Sequence, residues 1–490
     1  MEALLCRIIY HGDMKTTLPI SLLMILSIVM NLTATPASAY STSGSLQESV
    51  DAYIKEAMDR LPIPGLALGI VKGNQVLYLQ GYGTANANGD SVTPQTPFML
   101  ASVTKTFTAL AVQQLAAAGK LDLDEPVQMY LPEFQLADEQ AAASITVRHL
   151  LDHTSGISTV EGTQPYLHSP DTTFDEAIQE LARFSPKYMP GEHYEYSNSN
   201  YVLLGEVIAR TSDEPYAEYM QKNVLDPLRM THSTFADYHA VPGAATGNLI
   251  IFGASVPYDE PHVPIMLSAG YLTSTAEDMT HYLLTFFNHG QYQDHALLPS
   301  RGLGWYDATW NWHTGTPGDI CYGFSGGHNS VSTNIQLFPL QRVGVAILMN
   351  TRLDGMIPGP GTNEIAFNIA RIVIDLPHEL PSNRVFYGGY AALDGFLLIM
   401  VVGILWQAAT FKQWRKHYQS ATHSKRIIAW LGISFDLLLF VCILLLPSLL
   451  GTRWHIILTF RPDFSLPMLT LGICAGILGL MKIVSSKMDH

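Results

Sequence analysis

Beyond about residue 389 the chain stops reading as a water-soluble protein. Phe396 to Ala409, Ile427 to Leu450 and Leu466 to Ile483 are three apolar runs. With their flanks, at about 389–410, 427–450 and 465–483, each reaches the roughly 20 residues that a helix needs to cross a bilayer. No other feature constrains the fold so tightly, because in hydrocarbon every backbone polar group must find its partner inside the segment, so these runs must be helices. Lys412, Arg415, Lys416, Lys425 and Arg426 lie between the first two runs with no acidic residue among them. The positive-inside rule makes that connection cytoplasmic, which puts the residues before the first span outside and the C-terminus inside. Asp394 can sit at the outer interface. Asp436 falls within a span, where a carboxyl is costly; hydrogen bonding between helices and a role in transport both account for it.

Composition agrees. Of 490 residues 48% are apolar and only 14% charged, well below the roughly 25% of a soluble domain. The formal net charge of −15 excludes a nucleic-acid partner, whose phosphates demand a basic surface. At the other end, Lys15 precedes the apolar stretch Leu18 to Met30, and Ala37-Ser38-Ala39 follows it. That is the layout of a secretory signal, residues 1–39, with cleavage before Tyr40. An uncleaved anchor is the alternative, but about thirteen apolar residues are short for a span. Met14-Lys15 makes a more ordinary signal start than Met1. The expected organisation is therefore signal 1–39, exported domain 40–378 and membrane region 379–490, with a multi-pass location in the cell membrane and the domain outside the cytoplasm.

Within the exported part, Ser45-Leu46-Gln47-Glu48 has the form of a capping box, followed by apolar residues at helical spacing from Val50 to Leu61. Leu66 to Val71 and Gln75 to Leu79, joined by Lys72-Gly73-Asn74, read as a hairpin. Thr333 to Phe338 and Val343 to Met349 read as another, joined across Pro339 to Arg342. A helix with Ile365, Ile369, Ile372 and Val373 on one face follows, and Phe174 to Leu228 is rich in helical patterns. Strands at both ends with helices between predict one sheet built from both ends of the domain.

The stretch Pro97 to Leu110 runs from an apolar segment into a buried helix, and places Ser102 and Lys105 three residues apart on one face. A serine hydroxyl is a weak nucleophile until a neighbour takes its proton. A lysine desolvated in a helix interior loses enough basicity to take part. Unpaired N–H groups at the helix start favour charge developing on a substrate oxygen. Alone, Ser-x-x-Lys is a weak signal, equally read as a helix N-cap and a surface lysine.

A second motif changes that. Tyr196-Ser197-Asn198 lies in Pro190 to Gly205, and Ser-x-x-Lys with Tyr-x-Asn resembles the serine β-lactamase and penicillin-binding-protein superfamily. The Tyr-x-Asn form points to the class C β-lactamase-related branch, which includes D-alanyl-D-alanine carboxypeptidases, D-aminopeptidases and esterases. His153-Thr154-Ser155-Gly156 and Ala269 to Met279 resemble further landmarks of the family, and the resemblance covers about residues 45–376. It implies an α/β (α+β) fold: an antiparallel sheet flanked by helices, with an all-helical subdomain, here followed by transmembrane helices. It also implies that His153 is structural, although histidine is the usual base at neutral pH.

The roles implied for this chain are Ser102 as nucleophile, Lys105 and Tyr196 sharing removal of its proton, and Asn198 orienting Lys105 or binding a substrate amide. The third family motif is usually Lys or His, then Thr or Ser, then Gly. Here it reads Phe324-Ser325-Gly326, followed by Gly327. Ser325, Gly326 and Gly327 are thus the expected substrate-binding residues, with Gly327 supplying a second oxyanion N–H. The cation is missing. His328, four residues on from Phe324, is a candidate replacement. No metal or cofactor is expected: there is no paired-cysteine zinc spacing, no His-Glu-x-x-His, and Cys321 stands alone in the central region as a small packing residue. The expected function is a serine hydrolase acting through an acyl-enzyme on a small-molecule or peptide substrate of the cell envelope. The alternatives are a penicillin-binding carboxypeptidase or β-lactamase, and a non-catalytic sensor on the same scaffold.

Overall fold

The computed structural model describes residues 45–163, 166, 169–297, 321–353, 361–449, 453, 454, 457, 458 and 462–487; the expected signal segment 1–39 lies outside them. The first helix, α1 (Leu46–Arg60), starts at the capping box. Ser45 Oγ accepts from Glu48 N at 3.3 Å and Glu48 Oε2 accepts from Ser45 N at 2.8 Å, satisfying two N–H groups that a helix start leaves unpaired. Strands β1 (Gly65–Lys72) and β2 (Gln75–Gly83) follow, joined by a two-residue turn in which Gly73 takes φ +62°. The helical part is built on α2 (Thr104–Ala117) and α3 (Asn198–Ser212), and α4 (Ala276–Phe287) returns the chain to the sheet. Strands β3 (Tyr322–Gly327), β4 (Ser332–Phe338) and β5 (Val343–Met349) and helix α5 (Thr362–Val373) complete the domain.

The five strands form one antiparallel sheet in the order β2-β1-β5-β4-β3. Strand β1 pairs with β5, Leu66 opposite Met349, so the sheet is closed by the two ends of the domain as expected. Both faces of the central strands are covered, which is why they read as continuous apolar runs. Leu66, Leu68 and Ile70 with Val343, Val345, Ile347 and Met349 bury against α1 and α5. Ala67, Val71, Ala346 and Leu348 join the larger core that holds Phe107, Leu110 and Tyr282 of α2 and α4. Gly69 lets α4 approach, since a Cβ there would lie 2.8 Å from the Ala276 carbonyl oxygen.

Among the described residues, three helices are long and apolar enough to cross a membrane: α6 (Asn383–Gln419), α7 (His423–Leu449) and α8 (Pro462–Lys487). All three outrun the apolar stretches, because polar residues continue a helix that hydropathy alone does not register. Lys412, Arg415 and Lys416 therefore lie on the last turns of α6 rather than in a loop. At its other end α6 enters the domain: Phe386 and Tyr390 are buried in the core shared with α1 and α5. The faces of α7 and α8 meet along glycines, with Gly472 against Ile443, Gly476 against Phe440 and Gly479 against Leu437. Small residues at such positions let helix backbones approach closely, which is what drives packing where there is no water to exclude.

Candidate active site

Ser102 sits in a single 3₁₀ turn, Ala101–Val103, between a two-residue strand, Phe98–Met99, and α2. Ala101 takes φ +48°, an uncommon conformation for a residue with a side chain. The turn is held from both layers. Leu100 N donates to Leu272 O at 2.8 Å from the helical side, and Thr333 Oγ1 of β4 donates to Leu100 O at 2.6 Å from the sheet.

Three of the expected site residues converge on one oxygen. Ser102 Oγ is 2.8 Å from Tyr196 Oη and 3.2 Å from Lys105 Nζ. Lys105 is fully buried; its amine also donates to the Ala269 carbonyl and lies 5.1 Å from the Tyr196 ring centre and 5.7 Å from that of Tyr201. Burial without a carboxylate partner holds the Lys105 pKa well below the usual lysine value, so the amine is biased toward its neutral, proton-accepting form. Tyr196 is pushed the other way. Burial raises the phenol, and this outweighs the opposing effects of the Ser102 bond and the positive charge of Arg352. At neutral pH the site therefore holds a phenol beside an amine.

His153 braces the tyrosine. Its ring is 4.6 Å from that of Tyr196, its carbonyl accepts from Glu195 N at 2.8 Å, and its Nδ1 lies 3.2 Å from Ser197 N. Burial first, and Lys105 second, push the imidazole down to about 3, so it stays neutral and acts as a wedge beneath the Tyr196 loop. Asn198 is the half-buried first residue of α3, and the hydrogen bonds of Lys105 run to Ser102 and Ala269 rather than to it.

Strand β3 lies against Ser102 through Gly326. A Cβ there would come 2.2 Å from Leu100 O and 3.0 Å from Ser102 N, so only glycine fits. Strand alternation then sends Ser325 to the opposite face, where its Oγ accepts from Asn334 Nδ2 at 2.7 Å on the side of α5. Its side chain is turned away from Ser102. Phe324 shares the Gly326 face and packs against the larger core. His328 holds Gly270 O at 2.9 Å, and burial lowers its pKa, so it contributes little positive charge.

A cation is nonetheless present. Arg352 Nη1 donates to His328 O at 3.3 Å, and its guanidinium lies against Gly327, whose added Cβ would be 3.1 Å from Nε. Motif reading misses it because Arg352 comes from the far end of another strand. The register accounts for its position: Ser332 of β4 faces Gly327 on one side and Met349 on the other, so the residues just after β5 emerge level with the end of β3.

Comparison with known proteins gives one direction. The family described as Beta-lactamase matches residues 50–358. Protein flp of Staphylococcus aureus (strain COL) is 24% identical over 442 residues, 85% of this chain and 86% of that protein. A putative penicillin-binding protein, PbpX, of Bacillus subtilis (strain 168) is 31% identical over 235 residues, 47% of this chain and 56% of that protein. Among solved structures, the octameric penicillin-binding protein homologue from Pyrococcus abyssi aligns with a TM-score of 0.57 at 26% identity, over 68% of this chain and 78% of that one.

Proposed function

The chain belongs to the Beta-lactamase family, and from that premise we propose that it is a membrane-anchored serine hydrolase working outside the cytoplasm through an ester of Ser102. The observation that carries this reading is the contact of Ser102 Oγ with both Tyr196 Oη and a fully buried, unpaired-by-carboxylate Lys105 amine. Lys105 Nζ accepts the Ser102 proton as Oγ bonds to the substrate acyl carbon. The carbonyl oxygen takes the negative charge and is met by the N–H groups of Ser102 and Gly327. As the bond from carbon to the leaving group breaks, Tyr196 gives its proton to that group and recovers one from Lys105. Water then repeats the sequence in reverse on the Ser102 ester.

The three apolar helices are the anchor. Lys412, Arg415 and Lys416 at the end of α6 and Lys425 and Arg426 at the start of α7 support a cytoplasmic connection, and a reporter fused after α8 is expected to be cytoplasmic.

Arg352 favours a second reading inside the same enzyme class, a penicillin-recognising carboxypeptidase or β-lactamase. Its guanidinium lies against Gly327 of the third motif and its charge acts on Tyr196, which makes it the candidate partner for a substrate carboxylate in place of the cation that Phe324 replaces. The test is covalent labelling of the full chain with a fluorescent fluorophosphonate and a fluorescent penicillin, with Ser102→Ala as control. Labelling by both supports the penicillin-recognising enzyme; by the fluorophosphonate alone, an esterase or peptidase; by neither in a folded sample, a non-catalytic binder. Arg352→Ala is expected to slow labelling by the carboxylate-bearing penicillin about 10- to 100-fold, the worth of one charged hydrogen bond, and to leave the fluorophosphonate rate within about threefold.

A further inference from the structure

The three apolar helices meet at one polar point. Lys482 of α8 reaches Asp436 Oδ2 of α7 at 2.7 Å and donates to Gln407 Oε1 of α6; Gln407 Nε2 in turn donates to Asp436 Oδ1 at 3.1 Å. Asp436 is 2% and Lys482 7% exposed, and Lys482 Nζ also lies 5.9 Å from the Trp414 ring centre of α6. Each of the three helices contributes one group, and each group bonds the other two.

Apolar packing between helices in lipid is weakly directional, whereas a three-way hydrogen-bonded contact is satisfied at only one rotation and depth of each helix. Helix α6 carries that constraint upward. It runs unbroken from Gln407 to Tyr390 and Phe386, which are buried in the catalytic domain's own core, a rise of about 26 Å from Gln407 to Tyr390. We propose that Gln407, Asp436 and Lys482 form an orientation lock, which fixes the rotation of α6 in the bundle and so fixes how the catalytic domain faces the bilayer. The proposal rests on the reading that these helices span a membrane.

A buried ion pair need not stabilise: replaced by apolar residues of similar size it is often neutral, and its best attested use is to fix one geometry. The lock is therefore tested by geometry in full-length protein in liposomes, without native cysteines, spin-labelled at Lys55 in α1 and Val484 in α8. Fluorophosphonate labelling of each sample checks that the domain is folded, and resistance to alkaline extraction checks that the helices are inserted. Wild type should give one narrow distance distribution. Asp436→Leu with Lys482→Leu should remain inserted yet broaden it at least twofold, and the exchange Asp436→Lys with Lys482→Asp should narrow it again. A double-leucine variant as narrow as wild type overturns the lock, as does an inserted exchange variant as broad as the double leucine. Extraction of the wild type by alkali instead overturns the membrane reading itself.

Discussion

Ser102→Ala and Lys105→Met are each expected to lower the rate of acyl transfer by about 10⁴-fold or more, and the double variant should be no slower than the worse single one within about threefold. On the proposed mechanism the two side chains form one proton-transfer unit: Ser102 has no nucleophile's reactivity without the amine 3.2 Å away, and the amine has no proton to take without Ser102. Non-additivity is thus the signature that separates this chemistry from two independent structural effects. Residual turnover of an activated ester by the four proteins of the cycle measures it. Additive losses would show that Lys105 acts on the fold rather than on Ser102.

The same lysine sets the pH dependence. Because burial lowers its folded pKa, the neutral amine that accepts the Ser102 proton is lost as pH falls through that value. The labelling rate of wild type should then fall about tenfold per pH unit, with a plateau above. Stability follows the same sign. Between the lowered folded pKa and the ordinary lysine value the unfolded chain binds the proton and the folded one does not, so this group makes stability rise with pH across that window and lose that increment as pH falls to the folded pKa. Lys105→Met should flatten this contribution, which denaturant titrations at several pH values will read.

Gly326→Val is the second large effect. A Cβ 2.2 Å from Leu100 O must move the strand or the Ser102 turn by more than an ångström to reach ordinary contact. Misplacement on that scale costs on the order of 10²-fold in rate, and overpacking of this kind about 1–3 kcal/mol in stability. Labelling rate and thermal melting, measured together, separate the two. A variant that melts lower but labels at the wild-type rate would show that β3 has no part in the reaction.

Local patterns carried much of this fold. The Ser45 to Glu48 capping box, both hairpins and the helix bearing Ile365 and Ile369 depend on neighbours a few residues away, and each is legible as such. Ser102 and Lys105 are legible for the same reason, being one turn apart. Tyr196 was reached only through the resemblance, since nothing in its spacing says that it lies 2.8 Å from Ser102. Parity along β3 already separates Ser325 from Gly326, a two-residue periodicity that the motif reading passed over. Arg352 and Lys482 were not legible. The position of Arg352 depends on the register of three strands, and that of Lys482 on the rotation of three helices, and neither is written in a local pattern.

The pairing of Leu66 with Met349 has a consequence for how the protein is made. A chain that crosses the membrane from its N-terminal side delivers β1 first and β5 nearly last, and β1 has no neighbour but β2 until β5 arrives. A lone two-stranded hairpin is marginal in water, so the sheet waits for the whole domain to be exported, and such long-range pairing is slow. Gly326 and Gly327 arrive in the same late segment. On the proposed topology, Ser102 therefore remains without the strand that carries Gly326 and Gly327 until nearly the whole domain has crossed.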